Sequence, residues 1–425
     1  MIAARNDEAR MTNEVNDEAR MTNDERSSNA RMMKQRSGIS SRHSDFAIPS
    51  SLDLRHSSLT GSLIADAAQL ADLLPQIQPH DRVAIDTEAD SLHSYREKLC
   101  LLQLSLPGRD FIIDPLAIQP VQRTGCPPGA QRIDLAPLRD ALQTKEIVLH
   151  GADFDLRLLR RSLDFSARRI FDTVIAARLL GIREFSLAAL VERFFDVKLA
   201  KGSQKANWAR RPLSPRMLEY ATNDTHYLLP LAERLETKLQ ERDRLDWLGQ
   251  SCQRAVEQAA VSRVRDEDET WRIRGSGALK GRAAAVLRGL WQWRENEAAA
   301  VDRPPFHILQ NHELLQSAEN FDLGSVPDYR HFSSRRRRAF CDAAERAMKL
   351  SEEEWPVSRR RFGTRPSAEM ARRSDELRVR RDRVAKELEL EPTFIAPRAT
   401  LEAIAADPTR ASNLLVPWQQ AALGL

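Results

Sequence analysis

The stretch Val83-Ala84-Ile85-Asp86-Thr87-Glu88 is an apolar run that closes on two carboxylates. In a β-strand successive side chains point to opposite faces, so Asp86 and Glu88 emerge on one side, one pleat apart. Two acids so placed repel unless something positive sits between them, and oxygen ligands suit hard divalent cations such as Mg²⁺ or Mn²⁺. The alternative for this pair is a strand that simply ends in solvated acids. Asp155 adds a third carboxylate, in the first turns of a helix that follows a short apolar strand and is delivered by it toward Asp86. Asp153 is its rival, but two residues apart on a helix face different ways. Asp155 directly precedes Leu156, which with Leu159 and Leu163 forms the apolar stripe, so Asp155 is the expected site residue. Tyr220 and Asp224, spaced i, i+4, stack a phenol and a carboxylate on one helix face. Alone, that pair also reads as a helix with one half-buried Tyr and one solvated Asp.

The elements that must position these groups can be read from periodicity. Leu63, Ile64, Ala67, Leu70, Leu73 and Leu74 recur at helical spacing, and Pro75 and Pro79 are expected to stop that helix. The Asp86 strand follows, then Leu99–Leu104 and, after Pro107-Gly108, Phe111–Asp114, which together predict an antiparallel meander. Leu135–Leu142 reads as a helix, Ile147–His150 as a short buried strand, and Ala152–Leu163 as a helix. Phe171-Asp172-Thr173 then leads into a helix ended by Gly181. Three meander strands followed by alternating helices and strands predict a mixed sheet flanked by helices, compatible with a ribonuclease-H-like α/β core.

With 425 residues the chain is too long for one compact core. Its 65 Lys+Arg against 61 Asp+Glu are only mildly basic, so any nucleic-acid argument rests on where the arginines lie. The four cysteines form no CxxC pair, which argues against zinc and a disulfide framework. No apolar run reaches membrane-spanning length, and the acidic N-terminus lacks an apolar leader, so a cytoplasmic protein without membrane association is expected. Residues 6–13 recur at 16–23 as a short polar repeat that cannot bury enough surface to order itself, whence disorder is expected over 1–55. The loop from Lys201 to Arg211 carries basic, amide and aromatic groups. It could grip phosphates and stack on a base, or be an ordinary basic loop with Trp208 anchored in the core.

Four stretches, IDTEADSLHSYREKLCLLQLS, LHGADFDLRLL, FDTVIAARLLG and NWARRPLSPRMLEYATNDTHYLLPL, resemble in order and spacing the exonuclease domain of the ribonuclease D family. That family belongs to the DEDD 3′-to-5′ exonucleases with a tyrosine in the third motif. The resemblance implies that Asp86, Glu88, Asp155 and Asp224 hold two divalent metal ions (Mg²⁺ or Mn²⁺), with Asp86 bridging them, and that Tyr220 orients the attacking water. It implies a 3′-to-5′ exoribonuclease trimming RNA with an accessible 3′ end, such as tRNA precursors, and releasing nucleoside 5′-monophosphates. A DNA exonuclease of the same superfamily and a catalytically silent RNA-binding scaffold are the alternatives. Thr225 and His226 depart from the family pattern, which more often has an apolar residue after the aspartate. Leu287–Glu295, Asp302-Arg303-Pro304-Pro305 and Ile308–Leu315 resemble an HRDC module, with the arginines at 335–338 as a candidate phosphate contact or a solvated face. Leu377–Ala405 resembles a second one. The expected organisation is therefore a disordered tail over 1–55, an exonuclease domain over 56–245, an HRDC module over 246–350, a linker over 351–370 and a second HRDC-like module over 371–425, in a monomer.

Overall fold

A computed structural model of the chain describes residues 61–117, 119–120, 130–200, 202–261, 269–357 and 367–425. The tail expected to be disordered and its repeat lie outside the described residues, as do 358–366 of the expected linker.

Among the described residues eight strands form: β1 Ser62–Ile64, β2 Arg82–Ala89, β3 Leu99–Leu106, β4 Arg109–Ile113, the two-residue pair β5 Gln119–Pro120 and β6 Ala130–Gln131, β7 Glu146–Leu149 and β8 Arg169–Asp172. The main sheet has the order β1-β4-β3-β2-β7-β8. Its β2–β3–β4 part is the expected antiparallel meander, while β7 pairs parallel to β2, and β8 parallel to β7. The sheet is thus mixed and helix-flanked, as the pattern predicts. All of β3 is buried because helices cover both faces of the sheet's middle, which is why LCLLQLSL reads as a nearly continuous apolar run rather than an alternating one.

Two local expectations change. Leu63 and Ile64 do not begin a helix; they form β1, parallel to β4, with Leu63 opposite Ile112. The helix starts only after Asp66, whose carboxylate accepts from the Gln69 N–H at 2.8 Å, and it runs Ala67–Ile77 with Pro75 inside it rather than at its end. The strand β8 is the other surprise: its four residues are too short to show a period, and Asp172 both ends the strand and caps the helix Thr173–Leu179.

The C-terminal half carries helices and no strand among its described residues. A long helix Gly281–Ala300, a one-turn helix Pro305–Ile308 and the helices Asn311–Asp322 and Ser334–Met348 enclose their own core of Trp293, Phe321, Phe332 and Phe340. The order recurs further on as a long helix Ala368–Leu388, a one-turn helix Pro392–Ile395 and a helix Arg398–Ala406. In the first set the buried Arg294 donates to the Leu309 carbonyl at 3.2 Å and Asp302 turns the corner in the left-handed region (φ 45°). In the second, Arg381 donates to the Ala396 carbonyl at 3.0 Å and Glu389 turns the corner (φ 58°), each at the corresponding place along the chain. The two modules are one construction used twice.

They dock differently. The last module has no separate core: Ile395, Leu401, Ile404, Leu415 and Trp418 join the apolar cluster that contains Leu179, Leu180 and Cys252. Trp418 stacks on Trp247 at 4.9 Å between ring centres. Gly181, at φ +74°, lies so close to the Glu389 carbonyl that a Cβ there would clash with it. The first module touches the loop after β2, where the Asp302 carboxylate accepts from the Tyr95 N–H at 3.1 Å and the Arg96 N–H at 3.2 Å. Among the described residues, no helix is long and apolar enough to cross a membrane.

Candidate active site

Asp86 and Glu88 sit near the end of β2, just before a register irregularity between Glu88 and Ala89 that bends the strand's end. The helix Pro215–His226, capped by the Ser214 hydroxyl, crosses the face onto which both point. It brings Asp224 to them, so that one carboxylate oxygen from each of Asp86, Glu88 and Asp224 lies within 4.8 Å of the other two.

Asp155 arrives from another direction. It lies in the first turn of the helix Asp153–Leu163 and is 5% exposed. The Thr87 hydroxyl donates to it at 2.5 Å, tying it to β2 between the other two acids. The turn that presents it is held by Asp172, whose carboxylate accepts from the N–H groups of Gly151 at 3.1 Å, Ala152 at 2.8 Å and Val174 at 2.8 Å. Asp153 instead points outward and pairs with Arg157 at 2.7 Å.

The four acids act on one another. Desolvation, then the charges of Asp155, Asp224 and Glu88, hold the Asp86 carboxyl well above the usual carboxylate range. Glu88 is pushed up to about 9, by desolvation first and then by Asp224 and Asp155. Asp224 is raised to about 7 by desolvation, against which the Tyr220 hydroxyl donates a hydrogen bond. Asp155 is raised to about 6 by desolvation, with the Thr87 hydroxyl opposing. What opposes protonation here is hydrogen bonding rather than a side-chain cation. A recess that concentrates carboxylates and leaves their charge unbalanced fits a divalent cation with oxygen ligands. Tyr220 receives a hydrogen bond from Gln204, and its phenol is raised above its ordinary value by desolvation and by Asp224, Glu88 and Asp86. It therefore stays protonated, a donor rather than a base.

The structure thus brings together all five residues singled out in the sequence. It also decides the two readings of the loop before the third motif. Trp208 is 1% exposed and packs near Tyr220, with ring centres 6.0 Å apart, so it anchors the core rather than offering a stacking face. Arg211 is engaged with Asp114 at 2.6 and 2.5 Å and with the carbonyls of Trp208 and Cys100. Lys205 and Arg210 remain exposed. The departures after Asp224 are structural: Ser105 donates to Thr225 at 2.7 Å, and His226 meets Asp110 at 2.7 Å. Thr87, Asp172 and Gln204 are not among the site residues that the sequence singles out. Asp172 carried a signal as a helix cap before Thr-Val-Ile, but nothing local shows that it reaches across to Gly151.

Comparison with known proteins places these observations. The profile of a 3′-5′ exonuclease family matches residues 62–240, and that of the HRDC domain matches 283–321. The chain is 34% identical to a ribonuclease D of Zymomonas mobilis over 60% of this chain and 63% of that one. It is 33% identical to a ribonuclease D of Xanthomonas oryzae over 60% of this chain and 67% of that one. The chain thus spans roughly two thirds of the length of these curated relatives. Its fold is similar to the crystal structure of Escherichia coli RNase D, described as an exoribonuclease involved in structured RNA processing, with a TM-score of 0.64, 21% identity, and coverage of 86% of this chain and 97% of that one.

Proposed function

The chain belongs to the ribonuclease D family, and on that premise we propose that it is a divalent-metal-dependent 3′-to-5′ exoribonuclease that trims the 3′ ends of tRNA precursors and other structured RNAs. The observation that carries this reading is the convergence of the Asp86, Glu88 and Asp224 oxygens within 4.8 Å, with the charge of Asp155 felt by all three.

In this reading Asp86, Glu88, Asp155 and Asp224 would hold the divalent ions, Glu88 and Asp224 on the side of the attacking water and Asp155 on the side of the leaving oxygen, with Asp86 common to both. Bound Mg²⁺ or Mn²⁺ would supply a nucleophilic water at neutral pH and stabilise charge on the leaving 3′-oxygen. Tyr220, kept protonated, orients that water through its hydroxyl, while Gln204 fixes the phenol. The water's oxygen joins the phosphorus, the P–O3′ bond breaks, and the penultimate nucleotide's 3′-oxygen takes up a proton. The product is a nucleoside 5′-monophosphate. The site residues act as a unit, so losing one acid removes much more than its share of the rate.

The same reading assigns 56–245 to the exonuclease domain, joined by the helix Leu245–Ala260 whose Leu248 and Cys252 complete its core, the rest of 246–350 and 371–425 to HRDC-type modules that help hold RNA, and 351–370 to the segment between them, in a cytoplasmic monomer. Lys205, Arg210 and the arginines at 335–338 are the basic groups offered to phosphates. The test is degradation of 3′-overhanging RNA and of matched DNA by the purified chain with Mg²⁺ or Mn²⁺. RNA should be shortened faster; equal or preferred use of DNA would move the substrate class to DNA, since discrimination rests on contacts to the 2′-OH.

A further inference from the structure

Gln103 is fully buried in the middle of β3, and neither the nitrogen nor the oxygen of its side-chain amide has a hydrogen-bond partner. Buried amides are almost always satisfied, so an orphan of this kind needs a reason. Its place supplies one. In the β2–β3 register Gln103 stands directly opposite Asp86, so both side chains leave the sheet on the same face, with Cβ atoms about 4.5–5.5 Å apart. On its other side Gln103 is opposite Ile112, which has no polar atom to offer. Ser105, next along the same face, has its hydroxyl committed to Asp110 and Thr225. The helix above that face buries Ala221 there. Among these neighbours Asp86 is the group whose chemistry matches a free amide donor.

We infer that Gln103 is a positioning residue of the acidic cluster, its side-chain N–H donating to the Asp86 carboxylate when the cluster holds a divalent cation. A carboxylate that bridges ions must keep one orientation, and a hydrogen bond from behind fixes it, as outer partners commonly do for metal ligands. A buried amide without that bond costs stability, so an apolar side chain of the same shape should not lower it. This rests on the metal-site reading above, and its test separates the two.

The experiment uses the full chain carrying Gln103→Met, nearly the same shape without the amide, and Gln103→Leu as a second apolar variant. Mn²⁺ affinity is measured by calorimetry, and thermal unfolding is followed without metal. The expected result is a metal-free melting temperature equal to or above wild type, with Mn²⁺ affinity weakened about tenfold. A lowered melting temperature with affinity within about twofold of wild type would make Gln103 a packing strut and overturn the inference. If neither variant folds, the wild-type chain with ¹⁵N-labelled glutamine side chains decides: a protected side-chain amide must shift on adding Mg²⁺, and no shifted pair refutes the role. Wild-type protein that binds no Mn²⁺ at all would instead defeat the metal-site reading itself.

Discussion

At the scale of single residues the site is an exercise in crowding acids. Thr87 matters because its hydroxyl, between Asp86 and Glu88 along β2, donates to Asp155 and keeps that carboxylate beside them. Thr87→Val keeps the shape and removes the donor. It should weaken Mg²⁺ affinity and kcat by about 10- to 100-fold while the far-UV circular dichroism stays that of wild type; unchanged affinity would show that Asp155 orients itself. The acids also set a pH dependence. Asp155, Asp224 and Glu88 are raised to about 6, about 7 and about 9, above the values near 4 that they have in an unfolded chain. A folded-state pKa raised in this way gives stability that is complete below the unfolded value and is lost as pH rises through the folded one. The metal-free melting temperature should therefore fall between about pH 4 and 9 on account of these groups. Because metal binding expels the same protons, the gain in melting temperature on adding Mg²⁺ should grow over that window, and differential scanning at pH 5, 7 and 9 would reveal a flat gain if the cluster were not the binding site.

At the scale of elements, what the sequence made legible follows from what carries a period or a motif. The β2 strand, the meander and the Pro215–His226 helix are long or alternating enough to be read, and they deliver Asp86, Glu88, Tyr220 and Asp224. Asp155 could be chosen over Asp153 because the apolar stripe of its helix fixed which way it faces. The strands β1 and β8 could not be read: Leu63 and Ile64 fall in register with the helix that follows, and β8 offers only Ile170 and Phe171, whereas β7, equally short, is apolar over Ile147-Val148-Leu149. Thr87, Asp172 and Gln204 were hidden for another reason: their partners are distant in sequence, so only the closure of the sheet and loops reveals them, just as only the register places Gln103 opposite Asp86. The same is true of Asp302. Its carboxylate joins the first HRDC-type module to the loop that follows β2, and Asp302→Gly would relieve the left-handed backbone while removing the two accepted hydrogen bonds. Faster amide exchange at Tyr95 and Arg96, with the helices of the module still protected, is the expected result; unchanged exchange would mean that the apolar contact of Tyr95 with that module suffices.

At the scale of the whole molecule the two helical modules look alike in sequence but are not equivalent. The first encloses its own aromatic core, whereas the second completes the core of the exonuclease body through Ile395, Leu401, Trp418 and the buried Arg244, which donates to the carbonyls of Leu179 and Leu388. Deleting 367–425 would expose Leu179, Leu180 and Trp247 and leave Arg244 half paired. That truncation should lower the melting temperature of the exonuclease body sharply or render it insoluble; a soluble fragment with wild-type stability would contradict this. The sequence suggests a separable appendage, since periodicity shows that helices are amphipathic but not what they cover.

The central proposal is that Asp86, Glu88 and Asp224, with Asp155 beside them, hold divalent cations that hydrolyse RNA from its 3′ end. The most direct measurement follows 5′-end-labelled RNA with metal-stripped protein, with and without added Mg²⁺, for wild type and Asp86→Ala. Wild type with Mg²⁺ alone should give a ladder shortened one nucleotide at a time, with nucleoside 5′-monophosphates released, and the variant a rate lower by about a hundredfold or more. Equal degradation by Asp86→Ala, or by wild type without metal, would contradict it.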